Sequence, residues 1–163
     1  MAEEKITRGN ASQFFIAGEL CRRGYSAVVT LGNTPNTDIL CSNLAGNRFV
    51  HIQVKTYLSG GRTCSIGKKA EIYYGDNFFW VLGGIPTPTS TAAFEYYIIP
   101  SSVMSANTCH DHAAWLSRPA KDGNAHRDSK VRMVMVPPHH HPYYWDISEY
   151  KNRWDLIEEK LRG

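Results

Sequence analysis

"FVHIQVKT", residues 49–56, alternates between polar and apolar side chains, and this stretch decides the fold. Successive side chains of a β-strand point to opposite faces of the sheet. The even-numbered residues from Val50 to Val54 therefore share an apolar face that suits a core. Gln53 and Lys55 lie on the opposite face, which makes this strand a candidate carrier of a polar site.

A second apolar run, "TDILC" at residues 37–41, precedes this strand by a short turn, "NLAGN". Two strands joined by so short a connection predict a β-hairpin. In that hairpin Asp38 lies beside the end of the next strand, near Gln53 and Lys55. We therefore expect a carboxylate, an amide oxygen and an ammonium group to converge at one point.

Glu19 is the one polar side chain in "FFIAGELC", residues 14–21, an apolar stretch with helical character. A buried carboxylate is costly unless a partner compensates its charge. A cation held near Asp38 is one such partner. Pairing with Arg22 or Arg23, or capping of a backbone group, is the other interpretation, and the spacing alone leaves both open.

This set of groups suits hydrolysis of a phosphodiester bond. Oxygen atoms of Asp38, Gln53 and Glu19, with the carbonyl of Val54, are the hard ligands that Mg²⁺ prefers. A bound metal lowers the pKa of a water molecule, and Lys55 would orient that water or stabilise developing negative charge. A short Gln-x-Lys pattern is also compatible with an ordinary solvated strand face.

The motifs resemble those of the PD-(D/E)XK nuclease superfamily, which has the restriction-endonuclease-like fold. The resemblance is carried by Glu19 on a first helix, by "PNTD" ending at Asp38, and by "IQVK" at residues 52–55. The glutamine variant resembles Mrr-type restriction endonuclease domains. The helix with its glutamate is similar to that of Holliday-junction-resolvase-like members.

The resemblance implies an α/β fold, a restriction-endonuclease-like core whose central mixed β-sheet is flanked by α-helices. It also implies a nuclease site dependent on Mg²⁺ or Mn²⁺. Asp38 would bind the metal, Gln53 would occupy the second acidic position, Lys55 would be the catalytic lysine and Glu19 an auxiliary helix carboxylate. The chain departs from the pattern in its neutral Gln53 and in Pro35, which stands three residues before the aspartate instead of next to it.

The composition is that of a soluble globular domain. The 163 residues predict a single domain, 1–163, with 42% hydrophobic and 20% charged residues and a net charge of +3. The N-terminal stretch lacks the apolar core of a signal peptide, and no apolar run is long enough to span a bilayer. The four scattered cysteines, with Cys21 and Cys41 in apolar segments, favour a cytoplasmic protein with reduced, mostly buried thiols.

The predicted order of elements is helix, three strands, two strands, helix, strand, helix, a pattern typical of a mixed sheet with helices on its faces. Asn10 or Ser12 would cap the first helix and Gly24 would end it; Asp146 and Glu149 have capping-box spacing at the last helix. The predicted helices are 10–23, 101–116 and one that follows Asp146, and the predicted strands are 25–31, 37–41, 48–55, 77–84, 94–100 and 130–137.

Lys68, Lys69 and Arg62 lie in the loop after the central strand and are the predicted contacts to a phosphate backbone, although basic side chains are also common on any solvated surface. The histidine runs at 110–112 and 139–141 are weak zinc candidates, because no cysteine stands at ligand spacing. The many aromatic residues of the second half favour core packing or a subunit interface over base stacking.

The sequence therefore predicts a Mg²⁺-dependent deoxyribonuclease with DNA as its partner and with no membrane association. RNA is not excluded as a substrate, and a homodimer is expected because two active sites are needed to cut two strands. The alternative is a catalytically inactive nuclease-fold module that binds nucleic acid or a protein partner. A site blocked by the 61–76 loop would favour that alternative.

Overall fold

A computed structural model describes residues 2–31 and 34–162 of the chain, including the side chains from Glu4 onward within those ranges. The three helices are α1 (Ala2–Arg22), α2 (Ser101–Leu116) and α3 (Asp155–Leu161). Short 3-10 helices occupy Lys68–Glu71 and Ser148–Tyr150. The strands are β1 (Ser26–Val29), β2 (Ile39–Ser42), β3 (Phe49–Leu58), β4 (Thr63–Ser65), β5 (Phe78–Ile85), β6 (Glu95–Pro100) and β7 (Met133–Met135).

Five strands form one central sheet in the order β1-β2-β3-β5-β6. β3 pairs in parallel with β5, while the other neighbours in this sheet are antiparallel. β4 and β7 form a separate two-stranded antiparallel sheet. The predicted central mixed β-sheet flanked by α-helices is thereby confirmed.

Each face of the central sheet carries its own hydrophobic core. On one face, Val50, Ile52 and Val54 pack with Ile16 of α1 and Ile157 of α3. This is the apolar face predicted from the alternation in β3.

On the other face, Tyr57 of β3 packs with Trp80 of β5 and Met104 of α2. Gln53 and Lys55 lie on the same face of β3 as Tyr57, and both are half-buried. The polar side chains of β3 therefore point to the α2 side of the sheet, at the margin of its core.

Helix α1 begins at Ala2, eight residues before the predicted start. Arg8 pairs with Glu4 at 3.1 Å, a spacing that supports a helix through the polar N-terminal stretch. Ser12 does not cap the helix: it is fully buried, and a Cβ on Gly83 would lie 2.3 Å from its Oγ. The predicted end at Gly24 is confirmed, since Gly24 has a φ of +92° directly after the last helical turn.

The C-terminal region differs from the single predicted helix. Asp146 accepts hydrogen bonds from the N–H of Ser148 at 2.8 Å and from its hydroxyl, and the turn that follows is the 3-10 helix Ser148–Tyr150 instead of an α-helix. Asn152, with a φ of +54°, separates this turn from α3. The predicted strand at 130–137 is shorter than expected, Met133–Met135, and pairs with β4 in a separate two-stranded sheet.

The four cysteines are free thiols, and burial raises the pKa of Cys41 and of Cys64 to about 12. Cys21 and Cys109 are exposed, which corrects the expectation that Cys21 is buried. Among the described residues, no helix has the length and apolar character needed to cross a membrane.

Candidate active site

Asp38 stands immediately before β2, where its backbone is held from both sides. Its N–H donates to the Ile52 carbonyl of β3 at 2.9 Å, and its own carbonyl accepts the Thr30 N–H at 2.9 Å. β2 begins at Ile39, opposite Ile52, while β3 continues past this point to Leu58. The Asp38 side chain therefore lies beside β3 at the gap that precedes the first residue of β2.

The Asp38 carboxylate contacts the residues of β3 that the sequence singled out. Its Oδ2 accepts the backbone N–H of Val54 at 2.7 Å and also a hydrogen bond from the Gln53 side-chain amide. Lys55 extends from the next position with its ammonium 6.0 Å from the centre of the Trp80 ring. The structure thus brings Asp38, Gln53 and the Val54 backbone together, with Lys55 next to them.

The electrostatic surroundings of Asp38 are not balanced by a direct cation. Burial raises the pKa of Asp38, while the Val54 hydrogen bond and the positive charges of Lys55 and Lys69 act in the opposite direction. Within the described part of the chain, no ion pair with Asp38 is shorter than 4 Å. The carboxylate therefore rests on neutral donors, with two cations close enough to act on it through space.

A cleft of about 320 Å³ lies along Val54, Lys55 and Thr56 of β3. One wall comes from the loop residues Ser65, Ile66 and Gly67, and the other from Lys5, Arg8 and Gly9 of α1. The 61–76 loop therefore forms a side of the cleft beside Lys55 and does not fill it.

Lys5 and Arg8 are cleft residues that the sequence prediction missed. The prediction began the first helix at residue 10, so their placement on α1 was not anticipated. The Glu4–Arg8 spacing of four residues was the available signal, because oppositely charged residues at that spacing are typical of a helix.

Glu19 lies outside the site formed by Asp38, Gln53 and Val54. Its carboxylate accepts two hydrogen bonds from Arg22 and one from Arg23, each at 2.8 Å. Hydrogen bonding by Arg22 lowers the pKa of Glu19. Glu19 is ten residues beyond Gly9, which places it about 15 Å further along the helix axis. Of the partners that the sequence allowed for Glu19, the structure has the arginines Arg22 and Arg23. No described contact joins Glu19 to Asp38 or Gln53.

The three predicted nucleic-acid contacts occupy different surroundings. The positive charge of Lys69 acts to lower the pKa of Asp38, against the larger effect of burial, but Lys69 does not line the cleft. Lys68, the preceding residue of the same 3-10 helix, pairs with Asp128 at 3.4 Å. Arg62 is exposed at the start of β4 and is not part of the cleft wall.

The histidine runs do not assemble with other ligands. Within residues 2–31 and 34–162, no three His, Cys, Asp or Glu side chains are grouped so that they would hold a metal ion. His112 instead contacts Asp128 at 2.9 Å, and His110 lies 3.3 Å from Asp111. A metal at the cleft would therefore depend on amide, carbonyl and water oxygens besides Asp38.

Comparison with solved structures identifies the fold. The chain superimposes on the bacterial homing endonuclease I-Ssp6803I with a TM-score of 0.54 and 13% identity, over 94% of this chain and 91% of that chain. The fold is restriction-endonuclease-like. A second similar structure is Hjc, a Holliday junction resolvase from Archaeoglobus fulgidus, with a TM-score of 0.43, 16% identity and coverage of 78% and 83%.

No family model and no curated protein matches the chain. At 13% identity the restriction-endonuclease-like likeness describes the backbone, and a fold alone does not assign an activity. The fold predicted from the PD-(D/E)XK-like motifs is nevertheless confirmed, because the overlap spans nearly the full length of both chains. Function is therefore argued from the residues of the cleft.

Proposed function

We propose that this protein is a nuclease that hydrolyses DNA phosphodiester bonds with the help of Mg²⁺ or Mn²⁺. The observation that carries the proposal is the convergence of Asp38, Gln53 and Val54 just before β2 begins, with Lys55 next in sequence on β3. The restriction-endonuclease-like backbone supports it, because it is shared with a homing endonuclease.

The groups present suit a hard divalent cation. Burial raises the pKa of Asp38 without a neighbouring ion pair to offset it, so a cation there would compensate the carboxylate. The N–H and carbonyl of one strand residue point to the same side, so the Val54 carbonyl faces the same gap as its N–H. Gln53 now donates its amide N–H to Asp38, and a rotation of that amide would present its oxygen instead.

This donor set carries only one negative charge. Mg²⁺ is typically held by one or two carboxylates, several waters and the phosphates of its substrate. The neutral Gln53 therefore suits a metal that binds tightly only together with nucleic acid. When bound, the metal would supply Lewis-acid stabilisation of the phosphate and a water of lowered pKa.

The cations of the cleft suit the substrate. Lys55, half-buried beside Asp38, is positioned to orient the attacking water and to stabilise negative charge on the scissile phosphate. Lys5 and Arg8 on one wall, and Lys69 nearby, are suited to hold flanking phosphates. Glu19 is left out of the proposed site because its carboxylate is already paired with Arg22 and Arg23.

The decisive test is cleavage of plasmid, branched, single-stranded and RNA substrates with Mg²⁺ or Mn²⁺ and with EDTA. We expect metal-dependent cleavage of DNA, and we expect Lys55→Ala to reduce its rate by about 10²–10³-fold. Lys160→Ala is the matched control, because Lys160 is exposed on α3 and does not line the cleft. Metal-dependent cleavage that Lys55→Ala leaves unchanged would refute the proposal.

Two further expectations belong to this proposal. Cutting both strands of a duplex requires two active sites, so a homodimer remains a prediction that light scattering of the purified protein would test. Binding without cleavage on every substrate would favour the alternative of an inactive nuclease-fold module.

A further inference from the structure

A second cavity, of about 180 Å³, lies between α2 and the segment that leads into β7. Its walls include the rings of His112, Trp115 and Tyr144 and the side chain of Met133. At roughly 30 Å³ per water molecule, the space equals about six waters. It is too large for a single bridging water and too small for a drug-sized ligand, and its volume suits one small ring system.

The cavity has a buried polar lining that is not fully satisfied. Thr108 is 4% exposed, and its hydroxyl has no hydrogen-bond partner among the described residues. Asp111 is 9% exposed; its Oδ2 accepts the Trp145 N–H at 3.0 Å, and its Oδ1 lies 3.3 Å from the imidazole of His110. An unpaired buried hydroxyl costs free energy, which a ligand carrying N–H donors and acceptors would recover.

A basic groove of about 300 Å³ adjoins this cavity and shares Trp115 and Tyr144 with it. Arg118 and Lys121 line the groove, and no carboxylate does so among the described residues. Arg118 is held over the Tyr143 ring, with its guanidinium carbon 3.4 Å from the ring centre, and both residues line the groove. The groove therefore suits an anion, in contrast to the ring-sized cavity next to it.

The cavity and the basic groove are linked to the cleft by one short 3-10 helix. Gly67, which directly precedes the 3-10 helix Lys68–Glu71, lines the cleft. Lys68 of the same helix pairs with Asp128, which also contacts His112 in the wall of the cavity. A nucleic-acid strand that leaves the cleft past this helix would reach the cavity and then the groove.

We infer that the cavity accepts the base of an unpaired nucleotide while Arg118 and Lys121 contact its phosphate. This inference rests on the proposed nuclease function, since it identifies unpaired nucleotides as part of the substrate. A carboxylate accepts N–H donors and repels carbonyl oxygens, so Asp111 favours bases with an amino group over thymine. Aromatic side chains beside the base add contact that does not depend on sequence.

Fluorescence anisotropy without cleavage tests this inference. The full chain with Lys55→Ala, in EDTA, is titrated against labelled oligo(dT) strands that differ only in one central dC, dA or dT, and against the corresponding duplexes. We expect the strands with dC or dA to bind more tightly than the strand with dT. Because metal and cleavage are absent, a failed nuclease assay leaves this measurement interpretable.

Matched substitutions locate the binding. Thr108→Val removes the hydroxyl at constant shape, and we expect it to weaken binding of the dC strand by about tenfold, whereas Thr108→Ser retains the affinity. Arg118→Gln is expected to weaken all strands, while Arg153→Gln, which removes the same charge outside the groove, does not. Circular dichroism confirms that each variant is folded.

Three results would overturn the inference. One is equal affinity of Thr108→Val and Thr108→Ser for the dC strand. Another is an equal loss for Arg118→Gln and Arg153→Gln. The third is competition by free dCMP at the same concentration as the dC strand, which would indicate a site for a free nucleotide instead of a strand.

Discussion

Asp38 and Glu19 are both partly buried carboxylates next to basic residues, yet their surroundings have opposite effects. Glu19 accepts hydrogen bonds from two arginines, and the bond to Arg22 lowers its pKa. Among the described residues, Asp38 accepts bonds only from neutral donors, and burial raises its pKa. The Glu19 carboxylate is compensated by two arginines, whereas none of the residues in ranges 2–31 and 34–162 gives Asp38 a direct positive partner.

The presence or absence of a direct positive partner distinguishes a structural carboxylate from a functional one better than residue type does. A paired carboxylate at the end of α1 links that helix to α3, since Arg23 also contacts Glu158 at 2.9 Å. A partly buried carboxylate without an ion pair among the described residues, bonded to the Val54 N–H at the wall of a basic cleft, is a feature that active sites show more often than structural sites. The two positions can therefore be tested against each other with the same change, carboxylate to amide.

The largest expected effect is on cleavage. Asp38→Asn keeps the shape of the side chain and its bond to Val54, but removes the charge that would hold a metal. We expect metal-dependent cleavage to fall by at least about 10²-fold, as for the loss of a direct stabiliser of the transition state. Rates measured at saturating DNA and several Mg²⁺ concentrations check this.

Glu19→Gln is the control for that measurement, because it makes the same chemical change at the paired carboxylate. We expect its cleavage rate to stay within about twofold of the wild type, a change of under 0.5 kcal/mol. Equal losses in Asp38→Asn and Glu19→Gln would end the distinction between the two carboxylates.

The part of this site that depends on local pattern was predictable. The alternation in β3 placed Gln53 and Lys55 on one face, and the short turn to β2 placed Asp38 beside them. The surroundings of Glu19 were not predictable, because they depend on which end of α1 passes the gap before β2. That placement follows from helix packing on the sheet, for which the motif spacing carries no information.

The same reasoning explains two other differences between the prediction from sequence and the structure. Lys5 and Arg8 were overlooked because a polar N-terminal stretch has no apolar periodicity, and its helix continues from the buried half of α1. The pairing of β7 with β4 joins residues about 70 positions apart, and a three-residue strand carries too little pattern to select a partner.

A second prediction concerns Gln53. Gln53→Glu adds a second negative oxygen ligand next to Asp38, so we expect the Mg²⁺ concentration for half-maximal cleavage to fall by about tenfold. Without metal, the two neighbouring carboxylates repel each other and should lower the melting temperature. A metal requirement that is unchanged or higher would show that position 53 does not face the metal.

A third prediction concerns stability at the paired carboxylate. Glu19→Gln weakens the contacts to Arg22 and Arg23, and we expect the free energy of unfolding to fall by about 1 kcal/mol at neutral pH. Urea denaturation of the two amide variants and the wild type measures this. Asp38→Asn should not share the loss, because it removes a charge that burial disfavours; an equal loss in both would contradict the comparison.

The smallest effect is a pH dependence of opposite sign at the two positions, measured by urea unfolding in EDTA. The folded-state pKa of Asp38 is raised, so its contribution to stability is present below the unfolded-state pKa and is lost as pH rises through the folded value. The pKa of Glu19 is lowered, so its contribution is present above the unfolded-state pKa and is lost as pH falls through the folded value. As pH rises from about 4 to 7, the free energy of unfolding of Asp38→Asn should therefore rise relative to that of the wild type, and that of Glu19→Gln should fall relative to it.

Mg²⁺ should reduce this relative gain in stability of Asp38→Asn, because a cation bound at Asp38 stabilises the ionised carboxylate only in the wild type. A gain that is independent of pH would show that the pKa of Asp38 is not raised in the folded state. A gain unaffected by Mg²⁺ at any concentration that supports cleavage would mean that Asp38 is not the metal-binding carboxylate.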